Sequence, residues 1–271
     1  MDCGEGAQRQ FVRHGLGLNR EMVIAISHLH GDHVNGLLGL LQTMSMTQRL
    51  RKITIIAPSD LFRWLRFTMK ILHIGLTFDI NFIKAKSGLL FDGSDYRITA
   101  QRANHAIESY AYLFEELPRP GIFNPKKAKR LGIPMGEKWS RLQHGKRTVV
   151  AGKTFKPTDV LGPRRPGRKI GYSGDTRPSQ KLARFFGGAD ILVFDSTFLS
   201  KDREKALERM HSTAFEAARL AKAARVKRLV LTHFSARYRS VVRLVREAEV
   251  IFENTVAAHD GLEIEVAYPE S

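Results

Sequence analysis

Four side chains able to bind a metal ion fall within six residues of this chain, in Ser27-His28-Leu29-His30-Gly31-Asp32-His33. Imidazole nitrogen and carboxylate oxygen together suit zinc, with manganese and iron as harder alternatives. His28 and His30 can point the same way while Asp32 and His33 turn toward a neighbouring site, with Gly31 easing the tight backbone between them. A lone histidine is more often a satisfied polar side chain than a ligand; four such groups at this spacing point to metal.

Three later residues extend the set. His105 lies in Asn104-His105-Ala106-Ile107-Glu108-Ser109 and Asp175 in Tyr172-Ser173-Gly174-Asp175-Thr176-Arg177-Pro178. His233 follows Arg228-Leu229-Val230-Leu231-Thr232. Each alone reads equally well as a polar loop residue. With the first motif they make seven ligands, enough for two ions sharing one carboxylate, which is the stoichiometry of a two-metal hydrolytic site.

These residues need a scaffold that delivers them to one place. Short apolar runs predict strands at Met22–Ser27, Ile53–Ala57, Phe78–Ile83, Tyr96–Gln101, Ser109–Leu113, Lys169–Tyr172, Ile191–Phe194 and Arg228–Leu231. Helical patterns lie between them at Val34–Met44, Leu61–Leu72, Ser179–Phe186, Ala214–Ala223 and Val241–Phe252, the fourth opened by a Thr213/Glu216 capping box. Pro178 is expected to begin the helix after Asp175. Strands alternating with helices imply an α/β layered fold, in which ligands bind where a strand gives way to a helix.

The 271 residues suit one such domain. No run approaches 18 apolar residues, which argues against a membrane span, and the start, Met1-Asp2-Cys3-Gly4-Glu5, lacks the features of a signal peptide. A single cysteine, Cys3, excludes an intrachain disulfide, so a cytoplasmic location is expected. Forty-four Lys and Arg against 27 Asp and Glu give a formal charge of +17, which favours a polyanionic partner over a small neutral one. Much of the excess sits between Pro118 and Ile170, where 15 Lys/Arg face only Glu137 and Asp159. This stretch is rich in Pro and Gly and has little apolar periodicity. It predicts one short helix, Pro125–Leu131, and a small hairpin around Gly145 and Gly152. Either it is a disordered insertion or, the reading favoured here, a protruding arm at about 118–168 that grips nucleic-acid backbone.

The order His-x-His-x-Asp-His, then a distant His, Asp and His, resembles the metallo-β-lactamase superfamily. Asp2-Cys3-Gly4-Glu5-Gly6-Ala7-Gln8-Arg9-Gln10, Asn104–Glu116, His211-Ser212-Thr213-Ala214 and the segment from Leu231 to Tyr238 resemble more narrowly ribonuclease Z, the endonuclease that trims the 3′ end of precursor transfer RNA. The resemblance runs from the first residue to about residue 240. It implies a four-layer αβ/βα sandwich with two zinc ions, the first held by His28, His30 and His105, the second by Asp32, His33 and His233, with Asp175 bridging. Asp32 also counts among the catalytic residues on this reading. His211 would be the general acid toward the leaving 3′ oxygen, and Asp195 would orient it. Arg237 could contact a phosphate. The segment from Pro118 to Ile170 would be the arm that clamps the transfer RNA elbow, although Ile133-Pro134-Met135-Gly136-Glu137 lacks the family's Gly-Pro order. A homodimer, with one subunit's arm serving the other's site, is implied by the resemblance alone.

Family members usually carry strands before the Asp-Cys-Gly-Glu-Gly segment, so the opening strands are expected to be missing here. Two rival functions remain at this stage. One is another two-metal hydrolase of the superfamily acting on a small phosphodiester or ester; the other is an inactive RNA-binding relative.

Overall fold

Strand Ile53–Ala57 is buried at all five positions, and its alternate side chains enter two different cores. Ile53, Ile55 and Ala57 pack with residues of the helices on one face, whereas Ile56 packs with Ala25, Ile98, Ala100 and Tyr112 on the other. Period-two alternation carries successive side chains to opposite faces, and burial of both faces explains why this strand is apolar at every position but Thr54. Residues 1–268 are described in this computed structural model.

In chain order the elements are α1 (Ala7–Arg13), β1 (Val23–Ala25), α2 (Gly31–Val34), α3 (Leu37–Met46), β2 (Ile53–Ala57), α4 (Asp60–Ile71), β3 (Ile80–Lys84), β4 (Gly88–Asp92), β5 (Tyr96–Arg102) and β6 (Tyr110–Glu116). There follow α5 (Pro125–Arg130), α6 (Glu137–Gln143), β7 (Thr148–Val150), β8 (Lys153–Phe155), β9 (Lys169–Tyr172), α7 (Gln180–Phe185), β10 (Ile191–Asp195), α8 (Arg203–Glu208), α9 (Ala214–Ala224), β11 (Arg228–Thr232), α10 (Val242–Glu249) and β12 (Thr255–Ala257).

The described chain divides into two compact units, 1–115 with 169–266, and 116–168 with 267 and 268. In the first, a parallel sheet β1-β2-β3 faces a seven-stranded mixed sheet of order β12-β11-β10-β9-β6-β5-β4. The layer between the sheets holds Ala25, Ile56, Ile98, Ala100 and Tyr112. Leu37, Leu40 and Leu41 of α3 and Leu61 and Leu65 of α4 cover the outer face of the small sheet. On the large sheet, Phe194, Leu229 and Leu231 meet the alanine face of α9, which is flanked by Leu182 of α7 and Leu244 of α10. Small alanines let α9 lie close to the strands, and its N-terminus carries the expected Thr213/Glu216 capping box. Helix, sheet, sheet, helix is the αβ/βα sandwich.

Several local expectations are corrected. The helix expected over Val34–Met44 is two helices, broken at Asn35-Gly36. A Cβ on Gly36 would lie 1.9 Å from the carbonyl oxygen of Gly4, so the N-terminal segment crosses there through a gap only glycine leaves. Pro178 does not begin α7; Ser179 caps it, its hydroxyl accepting from Leu182 N–H. Helices α1, α6 and α8 and strands β4 and β12 escaped the apolar periodicity, being short, largely exposed or both.

The second unit is folded, and its expected lack of a core pattern is also corrected. Ala128, Ile133, Leu142, Phe155 and Val160 form a small core of their own, and Trp139 packs against it while donating Nε1–H to the carbonyl of Ile133 at 2.9 Å. Its hairpin is β7-β8, turning at Ala151-Gly152, both with positive φ. Asn124 caps α5 ahead of Pro125, so that helix starts where expected.

Candidate metal centre

Strands β9, β10 and β11 run parallel, β6 runs antiparallel to β9, and β5 leads toward the same edge as β9. The carboxyl ends of β5, β9, β10 and β11 therefore meet along one side of the sandwich, where open α/β sheets place their ligands. His105 follows β5, Asp175 follows β9, Asp195 ends β10 and His233 follows β11. The residues from His28 to His33 follow β1 in the facing sheet.

Two clusters result. His28, His30, His105 and Asp175 form one and Asp32, His33 and His233 the other, with the donor atoms of each lying within 4.8 Å of one another. In the first, His28 Nε2 is 3.1 Å from His30 Nδ1, and His105 Nε2 is 3.4 Å from that same atom. Asp175 Oδ2 is 3.5 Å from His28 Nε2, yet also 3.4 Å from His33 Nε2 and 3.2 Å from His233 Nε2, so this carboxylate faces both clusters. Asp32 Oδ2 completes the second, at 3.4 Å from His33 Nε2 and 3.3 Å from His233 Nε2. All seven residues singled out in the sequence come together.

The surrounding hydrogen bonds decide which way the imidazole lone pairs point. Asp2 Oδ2 accepts from His33 Nδ1–H at 2.6 Å, and the Met210 carbonyl accepts from His105 Nδ1–H at 3.1 Å. Ser27 Oγ donates to Asp2 Oδ2 at 2.7 Å, leaving a lone pair to accept from His28 Nδ1–H at 2.9 Å. Thr197 Oγ1 likewise donates to Asp195 Oδ1 at 2.6 Å and accepts from His233 Nδ1–H at 2.9 Å. Four rings are thus held as the tautomer whose Nε2 lone pair faces a cluster. His33 Nε2, buried, has no hydrogen-bond partner among the described residues. Buried lone pairs directed at one another and at carboxylates are costly without a cation between them, and outer partners of this kind are what orient metal-binding histidines. The residues fit a pair of metal ions.

Electrostatics agree with that fit. Burial, reinforced by the neighbouring His33, pushes His28 down to about 3, so its ring is neutral and free to ligate at ordinary pH. Burial also opposes charge on His33, but Asp175 and Asp2 outweigh it and raise the ring to about 10. Burial raises Asp175, yet His33, His233 and His28 overcome this and hold the carboxyl far below the usual carboxylate range. The pocket as a whole attracts positive charge, which a metal ion supplies as well as a proton does.

Backbone geometry tightens the arrangement. His233 has φ +60°, in the left-handed region that non-glycine residues seldom occupy, and the excursion turns its ring back from the end of β11 toward Asp175. Gly174 has φ +56°, and a Cβ there would stand 2.6 Å from that of Ser27. The loop bearing Asp175 can therefore press onto the His28 segment only with glycine at 174.

His211 stands beside the clusters, stacked on His233 with ring centroids 4.9 Å apart, and its Nδ1 is 2.9 Å from Asp195 Oδ2. It also lies close enough to Asp175 and His233 to form a third candidate ligand group with them. Asp195 is completely buried and accepts from Thr176 N–H, Thr197 N–H and Thr197 Oγ1 in addition to His211. Burial disfavours the imidazolium of His211, but the hydrogen bond and charge of Asp195 prevail and raise its pKa. The His211-Ser212-Thr213 loop is itself anchored: Ser212 Oγ donates to the Thr176 carbonyl at 2.6 Å, and Arg177 pairs with both the His211 carbonyl and Glu216.

Asp2 belongs to the Asp2–Gln10 motif, in which nothing local marks its role; its contacts to Ser27, His33 and Tyr172 show why an acid stands there. Thr197, Arg177 and the Met210 carbonyl were missed. A threonine two residues after Asp195 was the one available signal for Thr197, since such a hydroxyl can bond back to the carboxylate. Arg237 is paired with Asp202 at 3.4 Å and lies over the Phe198 ring.

A metallo-β-lactamase fold carrying paired His/Asp clusters is therefore the class to which the chain conforms. Residues 133–234 match the family model described as Beta-lactamase superfamily domain, and residues 1–116 match that of Anti-Pycsar protein Apyc1. The chain is 50% identical to Ribonuclease Z of Nitrosopumilus maritimus over 266 residues, which is 98% of this chain and 89% of that protein. It is 40% identical to Ribonuclease Z of Methanosarcina acetivorans, covering 99% and 88%. Among solved structures it is similar to the short form of human tRNase Z, with a TM-score of 0.69 and 28% identity, covering 98% of this chain and 87% of that one. The chain belongs to the ribonuclease Z family.

Proposed function

We propose that this protein is a metal-dependent endoribonuclease that removes the 3′ trailer of precursor transfer RNA, leaving a 3′-hydroxyl on the transfer RNA and a 5′-phosphate on the trailer. The observation that carries this reading is the Asp195–His211 pair set beside the two clusters, in a chain half identical over nearly its whole length to a ribonuclease Z.

His28, His30 and His105 would hold one zinc ion and Asp32, His33 and His233 the other, with Asp175 shared; manganese or iron could replace zinc. When bound, the two ions lower the pKa of water toward neutrality and offset charge on the phosphate. The protein's own contribution is positional and protolytic. Asp195 accepts from His211 Nδ1–H, fixes the ring and keeps it protonated, so that Nε2–H is offered to the leaving 3′ oxygen. Without that proton an alkoxide would have to depart. Asp32, exposed like His30, lies on the open side where a phosphate can approach.

The unit 116–168 supplies much of the +17 charge and is read as the arm that holds the transfer RNA backbone away from the cut. A homodimer and a cytoplasmic location are part of the same proposal. No helix among the described residues is long and apolar enough to cross a membrane.

The test is incubation of the zinc-loaded protein with a trailer-bearing precursor, mapping the cut and both ends. Cleavage after the discriminator nucleotide with the stated ends supports the reading. Hydrolysis of a small chromogenic phosphodiester without precursor cleavage would assign the chain to small substrates instead, and binding without cleavage would make it an inactive relative.

A further inference from the structure

A second basic surface lies on the first unit, beyond the residues already assigned. The segment after His233 descends through Arg237 and Tyr238 to α10 and borders a groove of about 620 Å³ whose lining includes Leu199, Lys201, Arg237, Arg239, Arg243 and Arg246. Tyr238, which also lines the groove, is held in place. Its hydroxyl donates to Asp202 at 2.6 Å and accepts from Leu199 N–H at 3.0 Å.

The acids bordering this groove are already engaged. Asp202 accepts from Tyr238 and pairs with Lys205 and Arg237. Glu247 accepts from Ser200 N–H, Ser200 Oγ and Phe215 N–H. Lys201, Arg239, Arg243 and Arg246 are exposed, and none of the four has a carboxylate within ion-pair distance among the described residues. Unpaired cations side by side repel one another, and a chain of phosphates relieves that repulsion.

The position of the groove says which part of a substrate it meets. Arg237 at its rim lies 5.0 Å from the Phe198 ring, whose centroid is 6.2 Å from that of His211. The groove therefore opens on the His211 side of the centre. His211 protonates the leaving 3′ oxygen, and that oxygen belongs to the retained transfer RNA, not to the trailer. We propose that Lys201, Arg239, Arg243 and Arg246 bind the phosphates of the strand just upstream of the cut, the 3′ end of the acceptor stem. This rests on the proposed function and deepens it.

The experiment uses the full-length, metal-loaded protein and precursors carrying either a one-nucleotide or a long trailer. In the variant Arg239→Ala/Arg243→Ala/Arg246→Ala, KM should rise about tenfold for both precursors alike, and the slope of log KM against log salt should shrink by about 2. The matching Arg→Lys triple variant should restore most of both, which a merely misfolded groove would not. A KM effect confined to the long trailer would assign the groove to the trailer and overturn the proposal, as would an unchanged KM and salt slope. Wild-type protein that fails to cut either precursor would instead defeat the proposed function.

Discussion

Asp2 Oδ2 accepts a 2.6 Å hydrogen bond from His33 Nδ1, although 31 residues separate them, and the same oxygen also accepts from Ser27 Oγ and Tyr172 OH. One buried carboxylate thus sets the tautomers of His33 and, through Ser27, of His28, with one of these rings in each cluster. Asp2→Asn keeps the shape but loses the charge that polarises both rings. Metal affinity should fall about 10- to 100-fold, read by competition with a chromogenic chelator, with little change in fold by circular dichroism. Unaltered affinity would reduce Asp2 to a packing role.

His211 makes no demand on the metals if it is the acid. His211→Ala should slow precursor cleavage by about 100- to 10,000-fold while two equivalents of metal remain on elemental analysis. Metal lost along with activity would place His211 among the ligands, as its nearness to Asp175 and His233 would permit.

The pH profile tests the Asp195–His211 bond with a definite sign. With His211 as the proposed acid, activity needs the ring protonated and should be lost as pH rises through the folded pKa, which Asp195 has moved upward. Asp195→Asn removes the group that raises it and leaves burial, which lowers it. The alkaline limb of kcat should move to lower pH. A limb that stays in place would assign it to another group.

Most of this site was legible in the sequence because metal ligands combine rare residue types with fixed spacing, and loops at strand ends announce themselves as breaks in apolar runs. His28 to His33 gave both clusters their first members. What stayed hidden was held by contacts between residues far apart in the chain. Nothing local marks the Met210 carbonyl as the partner of His105, or Arg177 as the anchor of the His211 loop. The second unit misled for a related reason: Ala128, Ile133, Leu142, Phe155 and Val160 are too widely and irregularly spaced to show a period, yet they close into one core.

Acid stability should follow the Arg177–Glu216 pair. Burial raises Glu216, but Arg177 and Thr213 hold its pKa below the ordinary 4.5. A lowered folded pKa means that the stabilisation is complete above about pH 4.5 and is lost as pH falls through the folded value. Glu216→Gln should cost about 2 kcal/mol at pH 7 by urea denaturation, and wild type and variant should converge as the pH falls through the lowered folded pKa. A difference independent of pH would show that the charge contributes little.

Removing residues 118–167, between Glu116 and Arg168 (themselves an ion pair within the second unit), tests the arm. Precursor binding should weaken and its salt dependence flatten, while metal content stays the same. Undiminished affinity would reject the clamp.

The seven candidate ligands are strung along the chain in an order that bears on how the centre is assembled. His28, His30, His105 and Asp175 are all present once the chain has grown as far as Asp175, but the other cluster waits for His233, held at its left-handed φ by the turn after β11. Synthesis therefore supplies the side chains of the two clusters one after the other. A chain grown no further than Asp175 lacks both His233 and the Met210 carbonyl that orients His105, so neither cluster takes its final form until β11 has been made.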